Sequence, residues 1–164
     1  MFGIWIHGCI DGVSHYVLYA CVASNKTQET LFEPFSVDVQ KFGPPLRKRS
    51  DFVAEHALIK RYMEEVRPAT SNPFLMGSSV HNQRIEYWWR LLWEEIVWYH
   101  KNAVQEMVDQ GYFIPDDLYH RISFQDVYIP ILQEIINEWI GTWNLHRVQL
   151  IDEQGRFRPS HVPA

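Results

Sequence analysis

The sequence predicts an α/β domain in which a β-hairpin comes first and long helices follow. Apolar and polar residues alternate in Phe2–Ile10, and Tyr16–Ala23 is a β-prone run on the other side of the turn signal Asp11-Gly12. Apolar residues then recur at helical spacing through residues 85–99 and again through 127–143. The 164 residues, 46% of them hydrophobic, are enough for one domain with a packed core. We expect residues 1–150 to form this domain and residues 151–164 to be a polar tail.

The hairpin also constrains the two cysteines. A turn centred near Val13 would set Cys9 opposite about Val17 and Cys21 opposite about Trp5, so the thiols would not face each other. Their spacing matches no zinc site. We therefore interpret both cysteines as buried free thiols of a reducing compartment.

The middle of the chain predicts a helix and a short strand. Asn25 and Gln28 form a plausible capping pair, and Gly43 ends the helix. Pro34 is tolerated only in a first turn, so we expect this helix to start late. The segment Leu46–Asp51 is bounded like a strand, although its basic residues suit a strand poorly.

A second helix, Phe52–Val66, follows, and then a brief strand at Pro73–Met76. Lys48 would be costly in a central strand unless its stem reaches solvent or its ammonium finds a partner.

The long helix begins after Gly77, with Ser78 or Ser79 as its cap, and Gly111 closes it. At about 1.5 Å per residue it would reach roughly 45 Å, so we expect a bend or break. Its predicted buried stripe is Ile85, Trp89, Leu92, Ile96 and Tyr99. Trp88 and Leu91 lie off this stripe and could pack on the final helix or on a second subunit. Ser123 with Asp126 predicts a capping box for the final helix, with Pro130 near its start.

Three acidic residues lie at chemically suggestive places. Asp11 ends the first strand, Asp51 ends the short basic segment, and Glu86 opens the long helix. Strand ends and helix starts meet at one edge of an α/β sheet, where such sheets keep their sites. Carboxylates suit Mg²⁺, and two such ions support in-line phosphoryl transfer. With 20 Asp and Glu in the chain, spacing alone is a weak indication, and Glu86 could simply be a solvated helix acid.

Three local motifs make the case more specific. They are Ile10-Asp11-Gly12-x-Ser14, Gly43-x-Pro45-x-Arg47-x-Arg49-Ser50-Asp51-x-x-x-Glu55 and Gly77-x-Ser79-Val80-His81-Asn82-Gln83-Arg84-Ile85-Glu86-x-x-Trp89-Arg90. These motifs resemble the integrase catalytic core. The most similar type is the transposon-derived integrase-like core of eukaryotes, which is related to retroviral and retrotransposon integrases. The separation of the last two acids is 86 − 51 = 35, close to the spacing familiar in that superfamily.

The resemblance implies an RNase H-like fold: a mixed five-stranded sheet flanked by helices, here with a long carboxy-terminal helical region. It implies that Asp11, Asp51 and Glu86 hold two Mg²⁺ or Mn²⁺ ions and catalyse DNA 3′-end processing followed by strand transfer. Asn82, Gln83 and Arg84 would contact the DNA backbone. The implied partners are donor and target DNA and a second copy of the chain.

Some features favour another interpretation, a domesticated or degenerate core that serves as a non-catalytic dimerisation or interaction module. Residues 52–56 depart from the small link, ending in Glu-Asn, that the family has after its second acid. His15 replaces the family's Arg, and Lys48 replaces an aliphatic residue. The formal charge of −5 disfavours a broad grip on a polyanion, so other domains or proteins would supply DNA affinity. A structure-selective nuclease of the same fold would share the metal chemistry, but no motif supports it.

The remaining conspicuous residues have two interpretations each. Tyr87, Trp88 and Trp89, with Trp93 and Trp98, could form a base-stacking platform, but helical spacing favours core packing. Arg47 and Arg49 could contact DNA or belong to a nuclear-import signal. His7 and His15 could neighbour a metal. The sequence contains no apolar run of about 18 residues and no signal peptide, so we expect no membrane association and an intracellular, nuclear protein.

Overall fold

The computed structural model describes residues 2–51, 54–77 and 83–145. Its strands and helices confirm the α/β class. In these ranges β1 and β2 pair antiparallel, and β3 and β4 pair in parallel, so the described strands form two two-stranded sheets rather than the expected five-stranded one. The elements are β1 (Trp5–Ile10), β2 (Val17–Ala23), α1 (Gln28–Phe42), β3 (Lys48–Ser50), a 3₁₀ turn (Ala54–His56), α2 (Ala57–Val66), β4 (Phe74–Met76), α3 (Gln83–Leu92), a π-helical segment (Trp93–Val97), α4 (Trp98–Asp109) and α5 (Leu118–Leu145).

The hairpin forms as predicted, but its register differs by two residues. Cys9 faces Tyr19 and Cys21 faces His7. The difference arises because the turn is wider than a tight one, with Asp11 N–H donating to Tyr16 O, and because the register shifts after Cys9. The prediction that the cysteines do not pair is confirmed, since both are free; Cys9 is buried and Cys21 only half-buried.

The hairpin lies between two apolar clusters, one on each face. The larger cluster joins the hairpin to α3, the π-helical segment and α5, and Trp88, Leu132 and Ile136 lie at its centre with 0–1% exposure. The smaller joins α1, α2 and β4 to Tyr19 of β2. Gly8 lets β1 approach α3 closely, because a Cβ there would lie 3.0 Å from the Trp88 ring. The result is a layer of strands with helices on both faces.

Helix α1 corrects the expectation of a late start. It begins at Gln28 with Thr27, rather than Asn25, as its N-cap, and Pro34 lies inside it. The Thr27 hydroxyl accepts from Thr30 N–H, and Asn25 Oδ1 accepts from Thr27 N–H. This capping network fixes the first turn upstream of Pro34, so the proline costs one backbone hydrogen bond and does not set the boundary. Gly43, at φ 80°, ends the helix as predicted.

Strand β3 shows how Lys48 is accommodated. Its Nζ lies 2.7 Å from Cys9 Sγ and 5.9 Å from the centres of the Tyr19 and Phe35 rings. The expected partner for a strand lysine is therefore supplied by a thiol and two aromatic rings.

Helix α2 begins at Ala57, five residues later than predicted, because Ala54–His56 forms a 3₁₀ turn. Phe52 and Val53 lie outside the described residues.

The outer edge of β2 is covered by amide side chains of α5. Gln133 Oε1 accepts from Val22 N–H at 2.8 Å, and its Nε2 donates to Ala20 O at 2.8 Å. Asn144 Oδ1 accepts from Val17 N–H at 2.8 Å, and its Nδ2 donates to Val17 O at 3.0 Å. These amides satisfy backbone groups that a further strand would otherwise pair with, so the edge is closed by a helix.

The long helical region contains the predicted break. The π-helical segment separates α3 from α4, and Gly111 ends α4 at φ 78°. The wider turn shifts the helix face, so Val97 and Val104 are buried while Tyr99, predicted to be buried, is 66% exposed. Trp88 lies off the predicted stripe but is in the core, where its ring centre is 5.8 Å from that of Trp139. Of the two alternatives given for Trp88, packing on the final helix is the one that the structure shows.

Helix α5 starts earlier than the predicted capping box. Asp117 caps it, with Oδ1 accepting from His120 N–H, and Ser123 and Asp126 lie inside the helix with Pro130. The sequence pattern does not indicate Asp117 as the cap, because the apolar stripe is most regular only after Phe124. No helix in the described part of the chain is long and apolar enough to cross a membrane. The predicted tail, residues 151–164, lies outside the described residues.

Candidate functional site

Asp11 is held in the hairpin turn by a fixed set of donors. Its Oδ2 accepts from Val13 N–H at 3.0 Å, from Ser14 N–H at 2.6 Å and from the Ser14 hydroxyl at 2.8 Å. Partial burial works against ionisation, but the two Ser14 donors and Val13 N–H outweigh it and lower the pKa of Asp11. Asp11 is therefore a charged carboxylate with one fixed oxygen.

A cleft of about 240 Å³ lies beside this turn. It brings the hairpin end together with the first turns of α3 and the end of α5. Arg84 reaches the turn itself, since its Nη1 would lie 3.7 Å from a Cβ placed on Gly12. The lining residues are Ile10, His15, Gln83, Arg84, Tyr87 and Trp143. Two of the predicted DNA-contacting residues, Gln83 and Arg84, thus border the neighbourhood of Asp11.

Trp143 is a lining residue that the sequence did not indicate, whereas Tyr87 belongs to the stretch named as a possible base-stacking platform. Trp143 Nε1 donates to His15 O at 3.1 Å, which fixes the indole against the hairpin turn. Tyr87 is half exposed, and the Arg90 guanidinium lies 5.0 Å from its ring centre. Trp143 is 128 residues from His15 in sequence, and only the packing of α5 on the hairpin brings the two together.

The second predicted acid, Asp51, follows β3 and is exposed. The strand in front of it is fixed, because the buried Ser50 accepts at its carbonyl from Gly77 N–H. Arg47 and Arg49 are also exposed, and Arg49 Nη1 would lie 3.7 Å from a Cβ on Gly77. Neither arginine is among the described residues that line the cleft.

Glu86 lies in the first turn of α3 and is exposed. Asn82 lies outside the described residues. Within residues 2–51, 54–77 and 83–145, no three His, Cys, Asp or Glu side chains are grouped closely enough to hold a metal ion. Asp11, Asp51 and Glu86 are accordingly not gathered around one point in this structure.

The donor chemistry nevertheless suits hard cations. All three acids offer oxygen ligands, and Mg²⁺ and Mn²⁺ prefer such ligands. Each acid lies where predicted, at the end of β1, at the end of β3 and at the start of α3. An ion bound by all three would require these element ends to approach each other.

Histidines near the site have structural contacts. His7 Nε2 lies 3.0 Å from Asn25 O, which ties β1 to the start of α1. His15 adopts φ 63° in the turn, and its carbonyl accepts from Trp143. His56 packs near the Phe74 ring, and burial followed by the nearby Lys48 charge lowers its pKa.

The tryptophan-rich stretch divides between core and surface. Trp88 is buried and Trp89 partly buried against the larger cluster, as core packing predicts. Trp93 and Trp98 are 42% and 56% exposed. Trp93 borders a second, apolar cleft of about 300 Å³, which is lined by Ile4, Trp5, Ile6, Trp89, Leu92, Trp93, Val97 and Leu132.

Comparison with known proteins gives one family. The family model described as "Integrase core domain" matches residues 1–157, which is nearly the whole chain. Comparisons with curated proteins and with solved structures gave no match. The motifs around Asp11, Asp51 and Glu86 fall within the matched range. The chain therefore belongs to the integrase core domain family.

Proposed function

We propose that this chain is a polynucleotidyl transferase core that processes DNA 3′ ends and transfers them to target DNA. Asp11, Asp51 and Glu86 act in this proposal as the ligands of two Mg²⁺ or Mn²⁺ ions. The observation that carries it is the family match across residues 1–157. A DNA-joining activity also implies a nuclear site of action, which microscopy of the tagged protein would test.

The cleft beside Asp11 supports a role in binding DNA. Arg84 supplies a guanidinium suited to a phosphate, and Gln83 supplies amide donors on the same helical turn. The fixed turn holds Asp11 next to them with its Oδ2 already engaged. A phosphodiester seated on Arg84 would therefore lie close to the first acid.

Bound divalent ions would activate the attacking oxygen and stabilise the leaving oxygen of an in-line displacement. The protein's own part is to keep the three acids ionised and to orient the phosphate. The lowered pKa of Asp11 serves the first task, because this carboxyl stays ionised at a lower pH than an ordinary aspartate. Arg47 and Arg49, exposed on the β3 side, offer a further phosphate contact.

We also propose the RNase H-like arrangement, in which β1–β2 and β3–β4 belong to one mixed sheet. The contact between Lys48 of β3 and Cys9 of β1 supports it, since it brings the two strand pairs side by side. A homodimer is proposed from the apolar cleft bordered by Trp5 and Trp93, which are 43% and 42% exposed. Light scattering of the concentrated protein tests this, and a monomeric mass would count against it.

The experiment that tests the metal site is calorimetric titration of Mn²⁺ into the wild type and into Asp51→Asn and Glu86→Gln. We expect heat in the wild type that both variants lose while their circular dichroism is unchanged. Glu64→Gln is the matched control, because Glu64 is an exposed acid on α2 whose partner is Lys60. Absence of heat in the wild type at millimolar Mn²⁺ would refute an assembled site, and strand-transfer assays would follow a positive result.

A second candidate function is a non-catalytic interaction module descended from such a core. The specific observation in its favour is that the described acids are not grouped for a metal, whereas the apolar cleft is formed and carries exposed tryptophans. The same titration separates the two functions. Retained dimerisation without any Mn²⁺ response would favour the module.

A further inference from the structure

The least expected contact in the fold joins Lys48 of β3 to Cys9 of β1. The distance from Lys48 Nζ to Cys9 Sγ is 2.7 Å. An N–H···O hydrogen bond is typically about 2.9–3.0 Å, and sulfur is a larger atom than oxygen, so a simple amine–thiol contact should be longer. A single oxygen atom bonded to both nitrogen and sulfur would hold them at about the observed separation.

The surroundings limit what else can react with these two groups. Burial works against the ammonium form of Lys48, but the nearby Cys9, Tyr19 and Asp38 groups outweigh it and raise the pKa of Lys48, so the amine must lose a proton before it reacts. Cys9 is only 7% exposed, and the Lys48 amino group lies near the Tyr19 and Phe35 rings, so bulky thiols and amines are excluded. Asp38 lies within electrostatic reach of Lys48, and its buried Oδ2 has no hydrogen-bond partner in the described part of the chain. An oxidised Cys9 sulfur would therefore meet the Lys48 amine first.

The second thiol is placed differently. Cys21 pairs with His7 across the hairpin, and its Sγ lies 3.9 Å from Val22 O. Burial and the nearby Glu33 charge raise the pKa of Cys21, which makes it less nucleophilic at neutral pH. In the described part of the chain no lysine is hydrogen-bonded to the Cys21 sulfur, so Cys21 serves as an internal control.

We propose that Lys48 and Cys9 form a redox-dependent covalent link through one oxygen atom, Nζ–O–Sγ. Dioxygen is the oxidant. The S–H bond and one N–H bond of the neutral amine break, N–O and O–S bonds form, and the O–O bond breaks. One oxygen atom stays in the bridge, and the other leaves with the two hydrogens as water. The ammonium form first releases its extra proton to solvent. Two equivalents of a dithiol restore the amine and the thiol and release the bridging oxygen as water.

The link would join two strand pairs that share no backbone ladder in the described residues. It ties β1 to β3, the strands that end at Asp11 and Asp51. The oxidised protein should therefore melt at a higher temperature than the reduced one, by restraint of the unfolded chain. We also expect the link to change Mn²⁺ binding, and this consequence rests on the proposed function.

Intact-protein and peptide mass spectrometry test the link directly. The full chain is equilibrated in air-saturated buffer and, in parallel, with excess dithiothreitol. We expect a gain of one oxygen with loss of two hydrogens, a peptide pair joined through Cys9 and Lys48, and complete reversal by the dithiol. Cys9→Ser and Lys48→Arg should abolish the change, and Cys21→Ser should retain it.

Other products would overturn the proposal. Oxygen gained without loss of hydrogen indicates oxidation of a thiol alone, and loss of two hydrogens without oxygen indicates a direct N–S bond or a disulfide. If the variants fail to fold, the wild-type peptide map decides by itself, because unlinked Cys9 and Lys48 peptides after oxidation refute the bridge. The measurement uses neither metal nor DNA, so its failure is distinct from failure of the proposed function.

Discussion

The amide side chains that cover β2 should carry measurable stability. Gln133 and Asn144 each make two hydrogen bonds to the backbone of that strand, at 2.8–3.0 Å. Gln133→Met and Asn144→Leu keep side-chain size approximately while removing the amide. Each lost hydrogen bond costs about 0.5–1.5 kcal/mol, so each variant should lower the free energy of unfolding by roughly 1–3 kcal/mol.

The two substitutions should act almost independently. They lie eleven residues apart on α5 (144 − 133), which is roughly 16 Å along a helix, so their effects should add. We expect the double variant to lose about 2–6 kcal/mol and to aggregate more readily, because the outer edge of β2 loses its cover.

The assay is urea unfolding followed by far-ultraviolet circular dichroism at neutral pH. Gln105→Met is the matched control, because Gln105 is an exposed α4 residue whose amide contacts Asp109, and it should change stability by less than about 0.5 kcal/mol. A double variant within about 1 kcal/mol of the wild type would refute the view that these amides replace a strand partner.

Three further predictions concern the core, the turn and the cleft. Trp88→Ala should lower the free energy of unfolding in urea by about 3–5 kcal/mol, because Trp88 is buried. Trp88→Phe should lower it much less, because the indole N–H that it removes is buried without a partner in the described part of the chain. Ser14→Ala removes one donor to Asp11 and should cost roughly 0.5–1.5 kcal/mol at neutral pH. Because the folded pKa of Asp11 is depressed, the stabilisation exists above the ordinary value of 3.8 and fades as pH falls through the folded pKa, so the two stability curves should converge in acid; a pH-independent gap would contradict this. Arg84→Ala should weaken binding to duplex DNA and reduce the salt slope by about 0.9, whereas Arg61→Ala on α2 should not; equal losses would exclude a specific role for the cleft.

Local chemistry made much of the fold predictable. The turn signal Asp11-Gly12 and the β-prone runs beside it specify the hairpin, and Gly43 and Gly111 specify two helix ends through their positive φ. The short strands around Lys48 and Phe74 were also found, because turn-forming residues bound them. In each case the determining residues lie within a few positions of the feature that they determine.

The structure differs from the prediction where contacts between distant parts of the chain, or an irregular helical turn, determine which residues are buried. Tyr99 has helical spacing with Leu92 and Ile96, but the π-helical segment turns it toward solvent. Helical periodicity cannot reveal the π-helical segment from the sequence, because it assumes a constant rotation per residue. Asp117 was likewise missed as a cap because α5 starts with an exposed turn that carries little of the apolar stripe.

In the candidate site, too, local motifs predict some features and contacts between distant residues determine the others. The positions of the three acids at element ends came from local motifs, and the structure keeps them there. The cleft beside Asp11 could not be predicted, because Trp143 reaches His15 only through the packing of α5 along the hairpin. That packing in turn depends on Gln133 and Asn144, which looked like ordinary polar helix residues in the sequence. The helix that closes the sheet edge is thus also the helix that forms one wall of the cleft. We therefore expect substitutions at Asn144, next to Trp143, to loosen the cleft as well as the fold.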